Sequence, residues 1–115
     1  MRLSFLALAF MLAGVGQSRA DDFDIRTGEQ LLDACQSGKP QETSSCRNYV
    51  TGASEAILLI TAKTFVCYFL PPDGVTEERA IGAVVDYLKG HPDERSMSGA
   101  KAVMDALAAA YPCPN

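Results

Sequence analysis

The chain has 115 residues, fourteen acidic and ten basic, for a formal net charge of −4. That length excludes a protein of several domains, and the acidic balance disfavours nucleic acid or anionic membranes, whose phosphates would repel it. The same balance suits a basic protein partner.

The chain opens with Arg2, an apolar stretch from Leu3 to Val15, and the small residues of Ser18-Arg19-Ala20. This pattern reads as a secretory signal peptide over residues 1–20, cleaved after Ala20. The stretch is too short to span about 30 Å of hydrocarbon, and no cysteine lies near the cleavage point to carry a lipid. Removing Arg2 and Arg19 leaves 95 residues with eight basic side chains against fourteen acidic, a net charge of −6. Residues 21–26 read as an acidic, flexible leader around Phe23, and residues 27–115 as one small helical domain.

Thr27-Gly28-Glu29-Gln30 has the form of a capping box and opens a first helix carrying Leu31, Leu32 and Cys35 inward. Gly38 and Pro40 read as its stop signals, followed by a polar loop to Ser45. Ser44 or Ser45 then caps a long central helix. Its apolar face steps through Cys46, Tyr49, Val50, Ala53, Ala56, Ile57 and Ile60 at intervals of one helical turn. Gly52 lies on or beside that face, where a missing side chain would let another helix approach. Thr64 to Leu70 is β-branched and aromatic, and reads as either a last helical turn or an extended piece. Pro71-Pro72-Asp73-Gly74 forces a turn.

Thr76 caps a third helix, with Glu77 and Glu78 in its first turn and Ile81, Val84, Val85 and Leu88 on its buried face. Gly90 is expected to end it in the left-handed conformation, and Pro92 to prevent its continuation. Residues 90–96 read as a polar connection. A fourth helix starts near Ser96 or Ser98, buries Ala100, Val103, Met104, Leu107 and Tyr111, and ends at Pro112. A second strip of it, Ala102, Ala106, Ala109 and Ala110, is small enough for close helix packing, within the chain or between subunits.

All four cysteines, Cys35, Cys46, Cys67 and Cys113, follow the export signal, which points to two disulfides. With the central helix formed, Cys46 and Cys67 lie about 25–30 Å apart, whereas disulfide Cα atoms approach within about 7 Å. Joining Cys35 to Cys67 would stretch the first helix along nearly the whole central one. The expected pairs are Cys35–Cys46 and Cys67–Cys113. The fold class is therefore all-α, a compact four-helix domain with a long central helix stapled by two disulfides.

Catalytic groups are scarce. His91 is the sole histidine, and paired cysteines leave no thiol for it to activate. There is no G-x-S-x-G, H-E-x-x-H or phosphate-cradling glycine loop, and no C-x-x-C with metal-ligand spacing. Glu77 and Glu78 are explained by the helix start they occupy, and His91 by a helix end whose carbonyls it can meet. The residues predict neither an enzyme, nor a metal, nor a cofactor.

Taken in order, Thr27-Gly28 with Leu31, Leu32 and Cys35, then Cys46-x-x-Tyr49-Val50-x-Gly52, Cys67, the prolines at 71 and 72, and Gly74-Val75-Thr76 form a recognisable series. Tyr87-Leu88-x-x-His91-Pro92, Ala106-Leu107 and the closing Tyr111-Pro112-Cys113 complete it. The series resembles the Tai-type immunity proteins directed against type VI secretion amidase effectors, over about residues 27 to 113. The resemblance implies a small helical periplasmic protein, commonly a homodimer, that docks onto the catalytic cleft of a cysteine amidase cutting peptidoglycan. The segment best placed for docking is Gly90, His91, Pro92, Asp93, Glu94, Arg95 and Ser96, between the last two helices. A reading from another class is a periplasmic acid-stress chaperone, small, helical and stapled in the same way, opening when its carboxylates protonate. A carrier of a small apolar ligand has only the helical core in its favour.

Overall fold

Four helices form where the sequence supplies their start signals. In the computed structural model, which describes residues 24–71 and 73–115, the order is α1 (Gly28–Gln36), α2 (Pro40–Thr64), α3 (Glu77–Gly90), a 3-10 turn (Pro92–Ser96) and α4 (Gly99–Ala110). The expected signal peptide, and Phe23 in the leader, lie outside the described residues. At α1 the Thr27 hydroxyl accepts from the Gln30 N–H and the Gln30 side chain accepts from the Thr27 N–H, a complete capping box. The hydroxyls of Thr76 and Ser98 accept from the N–H groups of Arg79 and Lys101 and open α3 and α4 in the same way. Each such cap is worth about 1 kcal/mol.

The central helix starts earlier than its apolar pattern suggests. The run expected as a loop to Ser45 is helical from Pro40, so neither Ser44 nor Ser45 is the cap. Pro40 begins a helix instead of ending one, because at the first helical position its missing N–H is lost to no partner and its φ is preset. Gly38, at φ 71°, supplies the left-handed turn that separates α1 from α2. On the first turns Gln41, Thr43 and Ser44 are exposed, while Glu42 and Ser45 are half-buried.

The core lies where α1, α3, α4 and the first half of α2 meet. It comprises Ile25 from the segment expected as a leader, Leu31, Leu32 and Ala34 from α1, Cys46 and Val50 from α2, Ala80, Val84 and Leu88 from α3, and Ala102, Val103, Ala106 and Leu107 from α4, with Phe69 closing one end. Burying a leucine or valine side chain contributes about 1.5–3 kcal/mol. Two details of the expected faces change. Ala100 is exposed, and the small residues Ala102 and Ala106 take the most buried positions on α4, so that strip serves packing within the chain while Ala109 and Ala110 stay exposed. Gly52 is exposed with nothing near the position of a Cβ, so no helix approaches it.

Close approach occurs instead at Gly28 and Gly99. The first turns of α1 and α4 are zipped side by side, the Gly28 N–H donating to Met97 O and the Gly99 N–H to Arg26 O, both at 2.9 Å. A Cβ on Gly28 would stand 3.0 Å from Leu88 Cδ2 and 3.1 Å from Glu94 O, and one on Gly99 would stand 2.7 Å from the Tyr49 hydroxyl. Both disulfides are as expected, Cys35–Cys46 with Cα atoms 5.0 Å apart and Cys67–Cys113 at 6.1 Å. The first ties α1 to α2. The second holds the C-terminal tail against the stretch after α2, where the Leu70 N–H donates to Tyr111 O. No described helix is long and apolar enough to cross a membrane.

Candidate protein-docking site

The α3–α4 connection differs from the plain polar loop expected from its composition. Gly90 does not terminate α3 in the left-handed conformation; Gly38 and Gly74 are the described glycines with positive φ. The α3 carbonyls are satisfied by side chains instead. The Arg95 guanidinium donates through Nε to Leu88 O at 2.9 Å and through Nη2 to Lys89 O at 3.4 Å. His91 Nδ1 lies 2.8 Å from Tyr87 O, and because a carbonyl only accepts, that nitrogen carries the proton. The His91 ring also stacks on Tyr87, centroids 4.0 Å apart. With the last carbonyls occupied, a left-handed cap is unnecessary.

Glu94 is the second anchor. Its carboxylate lies beside the Tyr87 hydroxyl, and Oε2, buried without a hydrogen-bond partner among the described residues, lies 3.9 Å from Lys101 Nζ. Lys101 is itself bound to Asp105. Burial first, and then the Glu94 carboxylate beside it, push the Tyr87 hydroxyl up to about 12, while the bond to Asp105 raises Lys101. The 94–95 backbone rests on Gly28, whose bare Cα gives it room.

The seven residues expected to bind a partner thus divide into two groups. Glu94 and Arg95 point inward and hold the turn. Gly90, His91, Pro92, Asp93 and Ser96 are exposed. Met97, exposed just beyond the expected segment, extends the outer surface. The sequence does not separate anchors from surface in this turn, because both are polar. The clue lies in Arg95, which follows the end of α3 at a distance from which a long cation can fold back on its carbonyls.

A second surface escapes the periodicity argument altogether. From Ala56 onward the central helix leaves the body, and Ala56, Leu58, Leu59 and Ile60 are exposed. The ridge continues through Phe65, 93% exposed, and Val66 and Leu70. Phe65 caps α2 in the left-handed conformation, φ 58°, a geometry that costs a side-chain-bearing residue about 1–2 kcal/mol and that glycine usually fills. Four consecutive apolar residues, Ile57 to Ile60, cannot all face one core, and that was the available signal. Single exposed apolar residues are ordinary, but a contiguous group marks an interaction surface.

The described residues contain no group of side chains that could hold a metal ion. Both surfaces offer shape and apolar area. Against known proteins, the family model of the Rap1a immunity proteins matches residues 27–113. That range takes in all four helices and both disulfides. Neither a curated protein nor a solved structure matches the chain.

Proposed function

The chain belongs to the Rap1a immunity protein family, non-enzymatic proteins that neutralise a cognate effector, and from this premise we propose that it acts in the periplasm on a peptidoglycan amidase delivered by type VI secretion. In this reading it is Tai-like. The outer surface of residues 90–96, with Met97, seats over the amidase cleft and excludes the substrate.

One observation carries the reading: the segment is exposed outside and fastened inside. Arg95, Glu94, His91 and the contact with Gly28 fix its backbone before any partner arrives. A segment ordered in advance loses little entropy on docking, which favours a tight blocker over a cleaved substrate. The net charge of −6 for the exported part suits a basic partner, and the export signal would bring the protein to the compartment where peptidoglycan is cut. The same reading makes the protein a homodimer, supported by the exposed apolar residues Leu59, Ile60, Phe65 and Val66, which lie outside the cleft between α2 and the stretch leading into α3 and which a second copy would cover symmetrically.

The test is co-expression in the periplasm with a candidate amidase encoded beside it, together with peptidoglycan digestion by the purified pair. Protection of growth, an isolable complex and loss of digestion are expected. Amidases that digest freely in its presence, with no complex formed by any plausible neighbour, would contradict the proposal.

A further inference from the structure

Between the outer half of α2 and the stretch leading into α3 lies an open cleft of about 400 Å³. Its floor is apolar, formed by Leu58, Phe69, Val75 and Leu107, of which Phe69 and Leu107 belong to the core and do not yield. Two carboxylates line it, Glu55 from α2 and Glu77 from the first turn of α3. Glu77 already faces a guanidinium, that of Arg47 at 3.6 Å, and accepts from the Thr51 hydroxyl at 3.3 Å. Glu55 is exposed and makes no ion pair among the described residues.

An apolar trough lined by two acids matches one kind of side chain well: a long aliphatic stem ending in a cation. We propose that this cleft receives an arginine side chain from a basic segment of the partner protein. The stem lies on Leu58 and Phe69, and the guanidinium bridges Glu55 and Glu77. Arginine fits better than lysine because its planar fork can serve two carboxylates at once and is more easily desolvated. Arginine anchors seated in pockets are also the usual centres of binding energy at interfaces. Arg47 shows the chemistry within the chain, a guanidinium held against the same carboxylate. The cleft lies on other elements than the 90–96 turn, so it would be a separate point of attachment.

The inference rests on the immunity reading only in taking the arginine from the effector, and its test needs no effector. The probe is the capped tripeptide acetyl-Ala-Arg-Ala-amide, titrated into the isotopically labelled, oxidised exported protein and followed by NMR. Versions with citrulline or norleucine in place of arginine serve as controls. The arginine probe should shift the signals of Val75, Phe69 and Leu107, and bind at least about fivefold more tightly than either control. Glu55→Gln and Leu58→Ser, both at exposed positions, should each weaken it by a similar factor, and raising the salt concentration should weaken it further. Equal binding of arginine and norleucine would make this a plain apolar groove and overturn the proposal. Shifts mapping elsewhere, no saturable shift at all, or signals that move with protein concentration alone (a second copy in the cleft) would overturn it too. A protein that ignores the probe yet still neutralises an amidase would lose only this cleft, whereas one that binds the probe but protects against no amidase would lose only the immunity reading.

Discussion

The apolar face of α2 runs through both of its halves, which meet opposite fates. In the inner half, Cys46 and Val50 are almost completely enclosed by α1, α3 and α4. In the outer half, Leu59 is 60% exposed and Ile60 is 47% exposed. The helix itself does not change: it runs unbroken for 25 residues. What changes is the neighbourhood, because α3 and α4 have 14 and 12 residues and end before α2 does. The outer turns are supported locally, by Thr61 and Thr64 hydroxyls donating to the carbonyls of Ile57 and Ile60. The inner half therefore owes its form to this chain's core, while the apolar surface of the outer half stays uncovered within the chain.

The contrast is broken most forcefully in the core. Leu88→Ala should destabilise the protein by about 3 kcal/mol, since a fully enclosed leucine leaves a cavity, whereas Leu59→Ser should stay within about 0.5 kcal/mol of the parent. Urea unfolding of the two variants checks this, and equal losses would mean that the outer half is covered within the monomer. Arg95→Met comes next. It removes a charged donor from the Leu88 carbonyl and should cost about 1–2 kcal/mol, with faster amide hydrogen exchange confined to the end of α3 and residues 91–97.

Phe65→Gly sharpens the comparison by opposing two effects. Relieving the left-handed strain should raise monomer stability by about 1 kcal/mol. The same change removes the most exposed part of the ridge, so self-association seen by analytical ultracentrifugation should weaken. A variant both less stable and equally associated would sever the link between strain and docking.

The smallest effect concerns alkaline pH. Tyr87 is raised to about 12 from an ordinary value of 10.0, so its contribution is fully present below pH 10, where the hydroxyl is neutral in both states. It is lost as pH rises through 12, because the unfolded tyrosine ionises first. The fall in stability between those values should be shallower in Tyr87→Phe.

Much of the fold was legible because its start signals are local. Thr27 with Gln30, Thr76 and Ser98 each act on an N–H three residues away, and no tertiary information is needed to find them. The disulfides were legible through reach, since a helix holds Cys46 away from Cys67. The early start of α2 was not, because Pro40 is a stop signal for one helix and a start signal for the next, and only Ser37, Gly38 and Lys39 separate them. Periodicity failed in a different way along Ala56 to Ile60. It identifies which side of a helix is apolar, but whether anything lies opposite depends on the lengths of other elements. The division of 90–96 into anchors and surface was hidden for a similar reason: Arg95 and Asp93 are equally polar, and only packing against Leu88 and Gly28 turns one of them inward.

The most direct test is the inhibition of the cognate amidase on peptidoglycan by Asp93→Arg and Leu59→Ser, measured side by side. Asp93→Arg reverses an exposed charge on the fastened turn and should weaken inhibition by about thirtyfold or more, equivalent to losing about 2 kcal/mol at a binding hot spot. Leu59→Ser should leave inhibition within about threefold of the parent. If Asp93→Arg inhibits as well as the parent while Leu59→Ser does not, the blocking surface lies on the outer half of α2 and the α3–α4 turn does not seat in the amidase cleft.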